Sequence, residues 1–219
     1  MMIKICGITR ALDAQHAVAH GATALGFVFW PRSPRYIAPA VAASIARDLP
    51  DGITTVGVFV NETVDAMRHT AESVGLTAVQ LHGEEPADLA GALRLPLLRA
   101  VTLDGMRAAV AAWPPSTRFL LDAADPVRRG GTGDTVDWAR AAEIAAAHPV
   151  ILAGGLTPAN VAEAIAMVRP AGVDVSSGVE AEPGRKDHDK VAAFLARARE
   201  AFRRIDHAGV DARTGSFRS

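Results

Sequence analysis

Eight short runs rich in valine, isoleucine, leucine and phenylalanine recur along the chain with helical patterns between them, at residues 3–6, 24–29, 54–60, 78–81, 97–101, 118–122, 150–153 and 172–175. Runs that are continuously apolar rather than alternating describe strands covered on both faces, as in parallel sheets joined by helical crossovers. The intervening segments, among them 11–20, 38–49, 63–74 and 160–168, are rich in alanine and read as helices. Thr157-Pro158 reads as a helix start, and Thr135 as a cap ahead of Asp137 and Trp138. Eight such units in 219 residues match the lower end of the size range of a single α/β domain of (β/α)₈ type, a closed parallel TIM barrel of eight strands. A doubly wound open sheet is the alternative. Its dinucleotide-binding form wants a Gly-x-Gly-x-x-Gly turn after the first strand, where this chain has Cys6-Gly7-Ile8-Thr9. The barrel is expected over residues 1–206. Residues 207–219 lose apolar periodicity and are expected to form a frayed tail.

A formal net charge of -1 gives no field that would draw nucleic acid, so any anion site must be local. No run approaches the roughly 18 to 20 apolar residues of a membrane span, and the first residues lack the apolar core of a signal peptide. The single cysteine cannot close an internal disulfide. Together these features predict a cytoplasmic protein with neither membrane nor nucleic-acid partner.

That cysteine, Cys6, ends the first run, where (β/α)₈ enzymes place reacting groups. A buried small hydrophobe is the competing reading. Side chains alternate across a strand, so Lys4 and Cys6 share the barrel interior while Ile3 and Ile5 face the helices. Asp122 closes the sixth run on the inward parity, either as an acid at the rim or as a turn cap. Asp174 of the eighth run faces inward as well. Strands one and eight are neighbours in a closed barrel, so Asp174 is expected to pair with Lys4.

Phosphate is expected at the two glycine-rich loops that follow the seventh and eighth strands, Ala153-Gly154-Gly155-Leu156 and Ser176-Ser177-Gly178. Glycine lets backbone N–H groups approach the oxygens closely, and such a nest needs no lysine. After strand two, Arg35 in Ser33-Pro34-Arg35-Tyr36 can offer a planar fork to a carboxylate, or be a solvated surface residue. Gln80 and His82 place two polar groups where strand four ends, and the segment from Arg128 to Gly133 has the composition of a lid. The seven histidines show no spacing typical of a metal site.

Several of these segments together resemble the phosphoribosylanthranilate isomerase family: Lys4-Ile5-Cys6-Gly7-Ile8-Thr9, Ser33-Pro34-Arg35-Tyr36-Ile37, Val79-Gln80-Leu81-His82-Gly83, Gly130-Gly131-Thr132-Gly133, Ala153-Gly154-Gly155-Leu156 and Asp174-Val175-Ser176-Ser177-Gly178-Val179-Glu180. The resemblance implies a (β/α)₈ barrel and an Amadori rearrangement in tryptophan biosynthesis, on a small phosphorylated substrate, without cofactor or metal. By matching motif it makes Asp122 the general acid that opens the ribose ring and Cys6 the base that takes the C2′ proton. It gives the anthranilate carboxylate to Arg35 and the phosphate to Gly155, Ser177 and Gly178; Gln80, His82, Gly154, Asp174 and Ser176, at the same rim, are expected to complete the substrate-binding set. Asp134, after the lid glycines, departs from the basic residue often found there in the family.

The implied chemistry makes demands. A thiol at its reference pKa of about 8.5 is only about 3% thiolate at pH 7, so a base needs a nearby cation, and Lys4 is the candidate. Asp122 must keep a proton against a reference pKa of about 3.9. Rival readings are another phosphosugar aldose-ketose isomerase of the barrel class, which would carry carboxylates at both positions, and a non-catalytic phosphate-binding module.

Overall fold

The computed structural model describes residues 1–122 and 136–214. Eight parallel strands close into a barrel in chain order, β1 (Met2–Cys6), β2 (Ala24–Val28), β3 (Thr54–Phe59), β4 (Ala78–Leu81), β5 (Leu97–Val101), β6 (Arg118–Leu121), β7 (Val150–Leu152) and β8 (Gly172–Val175). Around them lie α1 (Ala11–Ala19), α2 (Pro39–Arg47), α3 (Val64–Val74), α4 (Met106–Ala112), α5 (Trp138–Ala147), α6 (Val161–Val168) and α7 (His188–Thr214). All eight expected strands are present. Closure rests on β1 pairing with both neighbours: Lys4 stands opposite Ala24 of β2 and Asp174 of β8.

Strand parity builds two cores. Ile3, Ile5, Leu25, Phe27 and Leu81 point outward and are fully buried under helices, each burial contributing about 1.5–3 kcal/mol. Ala24, Val56, Ala78, Leu98, Leu120 and Ile151 point inward and fill the barrel. The small Ala24 beside Lys4 leaves volume for the lysine chain. Above this plug, Cys6, Val28 and Val58 form a smaller apolar layer against Trp30. Cys6 therefore stands at the boundary between packed interior and mouth.

Several local expectations are corrected. The segment between β4 and β5 holds a short 3₁₀ turn, Ala87–Gly91, in place of a full helix. After β8 comes another 3₁₀ turn, Ser177–Val179, and then a hairpin of β9 (Glu180–Glu182) and β10 (Arg185–Lys186). Asp137 caps α5, accepting from the amides of Ala139 and Arg140 at 3.0 and 3.2 Å; Thr135 lies outside the described residues. At α6 the N-cap position belongs to Asn160. Its amide ties the preceding loop, accepting from Thr157 N and donating to Gly155 O. β6 ends at Leu121, one residue before the expected end, yet Asp122 N still donates to Val101 O at 3.0 Å. The last helix runs to Thr214, into the segment expected to fray.

Candidate active site

The interior charges come together as parity predicts. Lys4 Nζ donates to Asp174 Oδ1 at 2.9 Å, with the lysine wholly buried. Gly26 of β2 makes room beside it: a Cβ there would lie 2.8 Å from Cys6 Sγ and 3.1 Å from Lys4 Nζ. The thiol and the ammonium thus flank one empty position.

Burial pushes the Cys6 thiol up, and the charge of Asp174 adds to this; Lys4 and Lys186 pull the other way without overcoming burial. For Lys4, burial favours the neutral form, but Asp174 and Cys6 outweigh it and hold the ammonium above the ordinary lysine value. A cation is therefore fixed next to the sulfur, and its field is shared with a carboxylate.

Asp122 is the first residue past β6, and its Oδ2 lies 3.4 Å from His82 Nε2. His82 Nδ1 meets Gln80 Nε2 at 3.0 Å, so with the amide donating, the imidazole carries its proton on Nε2, facing Asp122. Gln80 Oε1 is buried and has no hydrogen-bond partner among the described residues. An orphaned acceptor at a barrel mouth suits a hydroxyl-bearing ligand.

Across the mouth, Gly154 and Gly155 both adopt left-handed backbone, with φ of 74° and 63°. At Gly178 a Cβ would stand 1.9 Å from Leu156 O, so the loops after β7 and β8 touch backbone to backbone. They enclose a small cavity with Asp122, Gly154, Gly155, Ser177 and Gly178 in its wall, and no lysine or arginine among its described lining. Asp174 lines it too, so an anion entering it would rely on backbone dipoles, with carboxylates rather than side-chain cations in the wall.

Arg35 is engaged. Its Nε and Nη2 donate to Glu180 Oε1 and Oε2 at 2.9 and 2.7 Å, a two-pronged pair that is nearly buried. Glu180 also accepts from Lys186 Nζ at 2.9 Å and from Gly184 N at 3.3 Å. The same ammonium donates to Ser176 O at 3.2 Å, and Ser176 Oγ donates to Cys6 O at 3.2 Å. Although burial raises the Glu180 carboxyl, hydrogen bonds from Arg35 and Lys186 and their charge bring it below its ordinary value. Burial dominates at Lys186 and lowers its pKa despite Glu180.

The structure thus brings Cys6, Lys4, Asp174 and Ser176 together on one side, Asp122, His82 and Gln80 on another, and the two glycine loops on a third. The segment from Arg128 to Gly133, expected as a lid, and Asp134 beyond it lie outside the described residues. Sequence reasoning missed Lys186 and gave Glu180 no role. Pro183-Gly184 is the one local signal, since it marks the turn that returns Lys186 toward Glu180.

Comparison with known proteins finds relatives along almost the whole barrel. The family model described as N-(5′-phosphoribosyl)anthranilate isomerase matches residues 3–197. A relative of that name from Geobacter sp. (strain M21) is 48% identical over 200 residues, covering 90% of this chain and 98% of the relative. One from Myxococcus xanthus is 44% identical over 203 residues, covering 90% and 95%. The crystal structure of phosphoribosyl anthranilate isomerase from Thermotoga maritima superposes with a TM-score of 0.84 at 43% identity, over 91% of this chain and 99% of that one. Another isomerase, solved with reduced 1-(o-carboxyphenylamino)-1-deoxyribulose 5-phosphate, superposes with a TM-score of 0.80 at 42% identity, over 91% and 99%. With the match running from β1 into α7, the chain belongs to the N-(5′-phosphoribosyl)anthranilate isomerase family.

Proposed function

We propose that this chain converts N-(5′-phosphoribosyl)anthranilate to 1-(2-carboxyphenylamino)-1-deoxyribulose 5-phosphate, a step of tryptophan biosynthesis, with Asp122 as general acid and Cys6 as general base. The observation that carries this reading is the placement of both groups at the C-terminal ends of their strands, around one mouth that also holds the glycine loops. Asp122 gives its proton to the furanose oxygen as the C1′–O bond breaks, and the nitrogen lone pair forms the protonated Schiff base. Cys6, having lost its own proton to water, then takes the C2′ proton as the thiolate. The electrons of that C–H bond become the C1′=C2′ bond of an enolamine and discharge the cation on nitrogen. Tautomerisation moves the enol proton to C1′ and leaves the ketone, so atoms and electrons balance within one molecule.

Burial of the thiol works against this step at rest, and the bound ligand offsets it. Burial disfavours the thiolate at rest, but the cationic Schiff base sits one carbon from the proton to be removed. It acidifies that proton and attracts negative charge onto sulfur. Lys4 supports the same charge. Gly155, Ser177 and Gly178 receive the phosphate through backbone amides, His82 orients Asp122, and Gln80 Oε1 accepts from a ribose hydroxyl. Arg35 meets the anthranilate carboxylate with the Nη1–Nη2 edge that Glu180 does not occupy. A thiol that must stay reduced fits the cytoplasm. Among the described residues no helix is long and apolar enough to cross a membrane.

The test is the disappearance of phosphoribosylanthranilate fluorescence with purified protein. Cys6→Ala and Asp122→Asn should each lower kcat about 10²- to 10⁴-fold, the range of a lost acid or base, while product-analogue binding persists. Wild-type rates in either variant would remove that residue from the chemistry.

A further inference from the structure

We propose that Glu180 and Lys186 are positioning residues for the carboxylate-binding end of the site, Glu180 holding Arg35 in one orientation and Lys186, as its ammonium, keeping that end net positive. The proposal rests on the reading of Arg35 given above. A guanidinium on a loop rotates about several bonds, and fixing its plane before the ligand arrives removes that ordering cost from binding. Glu180 does this from the far side. Its two oxygens take the Nε–Nη2 edge at 2.9 and 2.7 Å, so the adjacent Nη1–Nη2 edge, inclined to the first and sharing Nη2 with it, is left for a second carboxylate in the same plane. The arginine stem is fixed as well: its Cδ lies 2.7 Å from where a Cβ on Gly7 would stand, which only glycine tolerates at φ 74°.

An Arg35–Glu180 pair alone would be neutral and would attract an anion weakly. Lys186 changes that balance. Its Nζ shares Glu180 Oε1 at 2.9 Å and is buried at the foot of the hairpin, so the cluster of one arginine, one lysine and one glutamate carries a net positive charge. Burying an ammonium costs several kcal/mol unless it is paired, and Glu180 and Ser176 O supply the partners. Glu180 is anchored in turn by Gly184 N and by Lys190 Nζ, which donates to its carbonyl at 3.0 Å. The hairpin after β8 is thus a brace that reaches back to the loop after β2.

The experiment compares two ligands by calorimetry: reduced 1-(o-carboxyphenylamino)-1-deoxyribulose 5-phosphate and the same molecule without the aromatic carboxylate. Glu180→Gln keeps size and one acceptor but removes the charge; Glu180→Asp keeps the charge and withdraws it by one methylene. In either variant the carboxylated ligand should weaken about tenfold, which is 1.4 kcal/mol, and the other should stay within about twofold. KM for phosphoribosylanthranilate should rise by the same factor while kcat holds, and Lys186→Met should show the same selectivity where Lys186→Arg restores it. Equal losses for both ligands would make the hairpin a structural brace only. Unchanged or tighter binding of the carboxylated ligand would overturn the positioning role. Arg35→Met separates the two readings: if it weakens both ligands equally, or neither, the assignment of Arg35 fails first.

Discussion

The two ends of the barrel mouth are made of different materials. The end proposed to hold phosphate, after β7 and β8, is backbone: left-handed Gly154 and Gly155, and a loop contact that only glycine permits at 178. The end beside β1 and β2 is charge: Lys4 with Asp174, and Arg35 with Glu180 and Lys186, all largely out of water. Binding a fixed anion needs only dipoles that never move, and a closed fold supplies them without charge. Moving a proton to and from carbon needs a field at one atom, and buried charges come with partners. The first end should therefore tolerate charge changes poorly matched to its chemistry but no added volume, and the second the reverse.

The largest effect is expected at the backbone end. Gly178→Ala places a methyl 1.9 Å from Leu156 O, and a carbonyl held in the adjacent loop cannot step aside as a side-chain tip can. The loops after β7 and β8 must separate. A misplacement of about 1 Å costs roughly 10²-fold in rate, so kcat/KM and affinity for the reduced product analogue should both fall at least that far. Near wild-type binding would show that the contact is not what shapes the cradle.

The charged end is broken by removing one partner. Asp174→Ala leaves the buried Lys4 Nζ without its carboxylate partner, and the expected cost is about 3–5 kcal/mol in urea unfolding. Adding Lys4→Met should recover most of that stability but not activity. A single-variant cost below about 1 kcal/mol would mean that water reaches the ammonium and the pair is weaker than its burial suggests.

The same contrast explains what could be read from the sequence. Strands buried on both faces write themselves as apolar runs, and parity with barrel closure pairs Lys4 with Asp174 across 170 positions. Glycines at strand ends marked the two loops for the same reason. Arg35 lies in an irregular segment and Glu180 opens a three-residue strand, where no period says which way a side chain points, so a bidentate pair 145 residues apart left no trace. Lys186 sits on a two-residue strand, too short for any pattern. After β4, Pro86 and the polar residues around it read as an interruption only once the 3₁₀ turn is seen, because alternation elsewhere argues for a helix there. Side chains on regular elements are legible; side chains that meet across loops are not.

A smaller effect should separate the two ends by the kind of atom in the way. At Gly26 the added methyl meets Cys6 Sγ at 2.8 Å and Lys4 Nζ at 3.1 Å, both ends of side chains. These can rotate, so Gly26→Ala should keep its fold while kcat falls about tenfold as the sulfur is displaced from the C2′ proton. Affinity for the product analogue should hold. If affinity falls as steeply as in Gly178→Ala, the two ends share one rigid frame and the contrast between them fails.

The smallest effect is an acid dependence carried by the charged end alone. Glu180 has its carboxyl held below the ordinary value, since the bonds from Arg35 and the charge of Lys186 outweigh burial. A carboxyl lower in the folded than in the unfolded chain binds fewer protons when folded, so its contribution is complete above the unfolded value, about 4.3, and is lost as pH falls through the lower folded one. Urea midpoints taken from pH 6 down to 3 should therefore drop more steeply in the wild type than in Glu180→Gln, which has nothing to protonate. Gly178→Ala should keep the wild-type slope, because its lesion carries no charge. Parallel curves for wild type and Glu180→Gln would mean that the Arg35–Glu180–Lys186 cluster gives the folded chain no more than water gives the unfolded one, and that its three buried charges are retained for the ligand rather than for the fold.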